Sequence, residues 1–78
     1  MEYEVGRVVL SKAGRDKGRK LVITEIVDEQ YVLVADGTLR KLEKPKKKKR
    51  MHLKLTHETV DIGTNKQLKR ALTAPEEE

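Results

Sequence analysis

The sequence predicts a mainly β fold: a small five-stranded barrel with one short C-terminal α-helix. Three observations carry that expectation. Runs rich in Val, Ile and Leu recur at about ten-residue spacing up to residue 57, turns containing Gly or Asp separate them, and the apolar residues beyond change to a helical period. Short, evenly spaced strands without helical segments between them favour a closed all-β arrangement over a parallel sheet.

Each element has its own signal. Val5 to Leu10 is the first strand, interrupted only by Gly6 and Arg7. Leu21 to Val27, rich in β-branched residues, is the strongest strand signal in the chain. Asp28-Glu29-Gln30 makes a polar turn, and Tyr31 to Ala35 returns as the third strand. Asp36-Gly37 is the dipeptide best suited to a two-residue hairpin of the primed type, which makes Thr38 to Leu42 the expected fourth strand. Pro45 and the run Lys46 to Arg50 break the pattern as a charged loop. Met51 to Thr56 then alternates, placing Met51, Leu53 and Leu55 on one face of a fifth strand. In the tail, Thr64 and Gln67 have the spacing of a capping box, and Leu68, Ala71 and Leu72 line one helical face. That helix is expected to close the open end of the barrel and to stop at Pro75.

Charge is unevenly distributed. The 78 residues carry a net charge of +5, yet residues 1–57 hold fifteen Lys or Arg against eight acids, while residues 58–78 hold three against five. A basic β-patterned part with an acidic tail favours a polyanionic partner. No cysteine is present, which excludes disulfides, thiol catalysis and cysteine zinc sites. No apolar run approaches the roughly 18 residues of a membrane span, and the N-terminus lacks the basic start and apolar stretch of a signal peptide. A soluble, cytoplasmic protein without membrane contact is expected.

Residues 6–20 concentrate the functional signal. Gly14 and Gly18 shape a tight turn onto which Lys12, Arg15, Lys17, Arg19 and Lys20 crowd positive charge, with Asp16 the one acid among them. Glycine loops let backbone N–H groups approach phosphate closely. The segment lacks the Gly-Lys-Ser/Thr ending of a nucleotide-binding loop. Lys46, Lys47, Lys48, Lys49 and Arg50 form a second cationic cluster, and Arg40, Lys41 and Lys54 extend the basic surface. Asp16, between Arg15 and Lys17, is expected to form an ion pair or a turn-stabilising bond rather than to act in catalysis. His52 and His57 face opposite sides of an extended segment and cannot share a metal, so His52 is expected to pack within the barrel. The two aromatic rings, Tyr3 and Tyr31, are too few for a sequence-specific single-strand reader.

The segment Gly6 to Gly18 resembles the KOW motif, a strand-loop-strand element of ribosomal and transcription-factor proteins. Ala13-Gly14-Arg15-Asp16-Lys17-Gly18 is similar to the loop of the bacterial ribosomal protein twenty-four family. Over residues 3–57 the pattern resembles the archaeal and eukaryotic ribosomal protein family fourteen-e: Gly6-Arg7-Val8, Ala13-Gly14-Arg15, a Val/Ile strand, Asp36-Gly37, a basic stretch, then Met51-His52-Leu53-Lys54-Leu55-Thr56. The resemblance is strongest to a short bacterial single-domain form described only as RNA-binding, since the chain ends soon after the barrel without the family's long helical extension. It implies an SH3-like barrel bound to ribosomal RNA through the motif loop.

The expectation is therefore a non-catalytic RNA-binding protein without metal or cofactor. Its partners would be structured RNA of ribosomal origin and ribosomal proteins, and it would be monomeric when free. The expected organisation is a KOW/SH3-like barrel over 1–57, a linker and short helix over 58–74, and a disordered acidic tail over 75–78. The candidate contacts are Lys12, Gly14, Arg15, Lys17, Gly18, Arg19 and Lys20 in the first cluster and Lys46 to Arg50 in the second. A protein-binding barrel of the NusG type is the competing expectation; such barrels are less basic and carry apolar loop residues where Arg15 and Lys17 stand here.

Overall fold

The computed structural model describes residues 2–73. Five strands, β1 (Arg7–Ser11), β2 (Lys20–Ile26), β3 (Tyr31–Ala35), β4 (Lys46–Lys49) and β5 (Leu53–Thr59), precede one helix, α1 (Asn65–Thr73). The strands form a single antiparallel sheet in the order β4-β3-β2-β1-β5. One 3₁₀ turn, Arg50–His52, joins β4 to β5, the two edges of that sheet. A three-residue link between opposite edges requires the sheet to curl back on itself. Register irregularities between Arg7 and Val9 along β5, and between Ile23 and Glu25 along β3, supply local bends. The mainly β, barrel-like fold read from the sequence is borne out.

Strand pairing sorts the apolar side chains onto two faces. Val9 pairs with Leu21 and Ile23 with Val34, and these join Val32 and Leu53 in the barrel interior. Val8 pairs with Val22, and Val22 with Ala35; these three face the other way. Leu68 of α1 covers them, flanked by Leu42, Val60, Ile62 and Leu72. The middle of the sheet is thus buried on both sides, which explains why β2 reads as a continuous apolar run rather than an alternating one.

Several expectations need correction. Thr38 to Leu42 is not a strand but part of the long connection from β3 to β4, and Leu39 there is 66% exposed. The Asp36-Gly37 turn is not primed, because only Gly37 has positive φ (83°) while a primed turn of that type needs it at both residues. The fourth strand is the lysine run itself. Its Lys46, Lys47, Lys48 and Lys49 pair in register with Val34, Leu33, Val32 and Tyr31. Met51 lies in the 3₁₀ turn and is 70% exposed, leaving Leu53 and Leu55 to represent the expected apolar face. His52 is exposed rather than packed in the barrel; its carbonyl accepts the Lys12 N–H (2.8 Å).

The capping box forms as expected. Gln67 N–H donates to Thr64 Oγ1 (3.2 Å), and Thr64 N–H donates to Gln67 Oε1 (3.1 Å). The helix covers the outer face of the sheet, however, rather than closing a barrel end. Pro75 and the acidic tail at 75–78 lie outside the described residues.

Candidate nucleic-acid interface

The β1–β2 loop is built by its own backbone. Gly18 N–H donates to Ser11 O (2.8 Å), Arg19 N–H to Asp16 O (2.8 Å) and Lys17 N–H to Gly14 O (3.2 Å). These tight turns need left-handed backbone at Gly14 (φ 76°) and Gly18 (φ 85°), which residues with a Cβ adopt only at a cost. The glycines therefore shape the loop. The Gly18 amide is occupied by Ser11 O, so it is not a free donor for phosphate.

Asp16 is the centre of the arrangement. It is 3% exposed, and its Oδ2 lies 3.3 Å from Lys48 Nζ and 3.3 Å from Arg40 Nη2. Arg19 Nε is 3.9 Å from its Oδ1. The expected ion pair exists, but its shortest contacts are with distant residues rather than with the flanking Arg15 and Lys17. Lys48 Nζ also donates to Ser11 Oγ (3.4 Å). The two basic segments, separate in sequence, are thus joined through Lys48.

A second buried carboxylate fixes the β3–β4 connection. Asp36 Oδ1 accepts the N–H groups of Thr38 (2.8 Å) and Arg40 (2.9 Å), and Arg19 Nη1 donates to its Oδ2 (3.4 Å). Burial pushes the Asp36 carboxyl up. The Arg40 and Thr38 donors together with the Arg19 charge outweigh that effect and hold it below its ordinary value. In the sequence Asp36 reads only as a turn residue; a carboxylate two residues before a turn N–H is the local signal present there.

The expected contact residues divide into two groups. Lys12, Arg15 and Lys17 of the loop and Lys46, Lys47 and Lys49 of β4 are exposed. Lys48, Arg19 and Arg50 are engaged within the fold, and Lys20 is half-buried with an interaction of its own. Lys46 and Lys48 share the face of Val34 and Val32, whereas Lys47 and Lys49 share the opposite face with Leu33 and Tyr31. Lys47 Nζ lies 4.6 Å from the centre of the Tyr31 ring, and Arg50 stacks over Tyr3 at 5.0 Å. Arg50 Nη2 donates to Asp28 O (2.6 Å), and Tyr3 Oη donates to Arg50 O (3.1 Å). Among the described residues no group of three or more His, Cys, Asp or Glu could hold a metal ion, and no helix is long and apolar enough to cross a membrane.

Fold and charge together define a small basic β-barrel that exposes Lys12, Arg15, Lys17, Lys46, Lys47 and Lys49. Known proteins place it more closely. Over 60 residues the chain is 38% identical to the large ribosomal subunit protein eL14 of Metallosphaera sedula, covering 77% of this chain and 62% of that protein. Over 59 residues it is 36% identical to the eL14 proteins of Desulfurococcus amylolyticus and Pyrobaculum arsenaticum, covering 62% and 57% of their lengths. The chain spans about three fifths of the length of the curated relatives it matches. No protein-family model matches it. The resemblance to the fourteen-e ribosomal protein family, read from the motif loop and the Met51–Thr56 segment, is borne out.

Proposed function

We propose that this protein binds structured RNA, associates with the ribosome in the cytoplasm as its relatives' name suggests, and catalyses no reaction. The observation that carries this reading is the split among its cations. Asp16 and Asp36 pair with Arg19, Arg40 and Lys48 and tie the β1–β2 loop to the β3–β4 connection and β4. Lys12, Arg15, Lys17, Lys46, Lys47 and Lys49 remain exposed on that rigid base. Cations held on a stiff scaffold neutralise phosphates with little further loss of conformational freedom.

At Lys17, Gly18 and Arg19 the amides are used within the loop, so there the side chains carry the contacts. Recognition therefore depends on backbone charge and shape more than on base edges. Affinity for an RNA hairpin should fall linearly on a log–log salt plot, with a slope of about −0.7 to −0.9 for each phosphate neutralised. Reversing two charges, Arg15→Glu with Lys17→Glu, should make that slope shallower and weaken binding. A complex insensitive to salt, or one untouched by the double reversal, would remove this mechanism.

A further inference from the structure

Beside the 3₁₀ turn lies an open cleft of about 430 Å³ lined by Tyr3, Glu29, Gln30, Lys49, Arg50 and Met51. Apart from Lys49, none of its lining residues is needed to explain binding to a phosphate backbone. The geometry points to a receptor for one unpaired nucleobase, set at the border of the phosphate-binding surface. This inference rests on the RNA-binding reading and specifies what that RNA must contain.

A flat platform comes first. The Arg50 guanidinium lies 5.0 Å from the centre of the Tyr3 ring and is held there by its bond to Asp28 O (2.6 Å). Tyr3 is tied in turn through its hydroxyl to Arg50 O (3.1 Å). Guanidinium planes and aromatic rings are the surfaces on which unstacked bases settle. The platform is preorganised, so little ordering remains when a ligand arrives.

The remaining walls suit the rest of a nucleotide. Met51, an apolar residue 70% exposed, supplies a polarizable thioether at the cleft. Gln30 offers amide donors and an acceptor, and Glu29 a further acceptor, for a base edge. Lys49 provides a cation for the adjoining phosphate.

Charge decides the class of occupant. Lys49 and Arg50 line the cleft with two cations against the single carboxylate of Glu29, an environment that favours an anionic nucleotide over an apolar protein side chain. The turn that carries Arg50 and Met51 is also tied to the β1–β2 loop, because the next residue, His52, accepts the Lys12 N–H through its carbonyl (2.8 Å).

The test compares two RNA hairpins of identical stem sequence, one fully paired and one carrying a single unpaired 2-aminopurine. The full chain should bind the bulged hairpin roughly tenfold more tightly, and the 2-aminopurine fluorescence should be quenched as the base stacks. Met51→Glu places a carboxylate at an exposed position, where the fold tolerates it; the affinity ratio should fall towards one and the quench should disappear. The Arg15→Glu, Lys17→Glu protein should lose affinity for both hairpins with the ratio preserved. Equal affinity for the two hairpins with unchanged fluorescence would overturn the base receptor while leaving RNA binding intact. A preference that survives Met51→Glu would also overturn it, by placing the base elsewhere. Binding of neither hairpin would overturn both readings.

Discussion

Asp16 is 3% exposed and lies within 3.3 Å of both Arg40 and Lys48, so its charge is tolerable inside the fold only while those partners stay in place. Asp16→Asn keeps the side chain's shape and removes the charge, leaving cations crowded around a neutral amide. A fully buried pair broken this way loses roughly 3–5 kcal/mol. Arg19 and Arg40 retain 41% and 28% side-chain exposure and can recover hydration. We therefore expect about 2 kcal/mol, seen as a lower urea midpoint with an unchanged slope. A midpoint indistinguishable from the parent's would show that Asp16 holds nothing together. Asp36 gives a pH-dependent counterpart. Its folded pKa lies below the ordinary 3.8, so its contribution is present above that value and is lost as pH falls through the lower folded value. Thermal melts from about pH 5 down to about pH 2 should show the parent losing stability more steeply than Asp36→Asn over that range. Parallel curves would refute the assignment. The sequence showed that Asp16 would be paired, since cations flank it on both sides. The partners themselves were hidden: Arg40 lies 24 residues away and meets it only after the barrel closes.

β4 is the element least legible in the sequence. Four lysines have poor strand propensity and no alternation, whereas Thr38 to Leu42 follows a hairpin-type Asp-Gly turn and looked the better strand. Two tertiary facts reverse that preference. The β3 edge needs backbone partners, and residues 46–49 supply four paired positions in register. A lysine edge strand also resists pairing with another chain, so charge is suited to this position. Residues 38–44 are instead held by local backbone turns and by side chains: Asp36 N–H donates to Arg40 O (2.8 Å), the Asp36 carboxylate caps the turn, and Asn65 Oδ1 accepts the Leu42 N–H (2.7 Å). Strand alternation then gives β4 two roles. Lys48 turns inward to Asp16 and Ser11, while Lys47 and Lys49 face outward. Lys47→Glu with Lys49→Glu should leave the melting temperature nearly unchanged and make the RNA salt slope shallower by about 1.5. Lys48→Met should do the reverse, lowering stability by about 1 kcal/mol with the slope preserved. If all three lysines behaved alike, the strand would be a disordered charged loop in solution.

At the scale of the whole molecule, one sheet serves two cores. Val9, Leu21, Ile23, Val32, Val34 and Leu53 fill the barrel, and Val8, Val22 and Ala35 lie beneath α1 on the other side. The helical period of Leu68, Ala71 and Leu72 and the capping box at Thr64 were legible because both are local. Where the helix docks was not, because the pairing of β1, β2 and β3 decides which residues reach the outer face. That placement makes α1 part of the folding unit. A domain this small buries only about 60% of its unfolded surface and has a few kcal/mol of stability in all. Leu68 is fully buried, and truncating such a leucine to alanine typically costs about 2–5 kcal/mol. Leu68→Ala should therefore unfold a large fraction of the protein at 37 °C rather than fray one helix. Helical and sheet signals should be lost in a single transition, and amide protection in β1 and β2 should fall together with that of α1. Early loss of the helical signal with the sheet melting at its usual temperature would show the barrel to be stable alone. In that case the outer faces of Val8, Val22 and Ala35 would have to survive in water, an apolar patch that small soluble domains seldom leave uncovered.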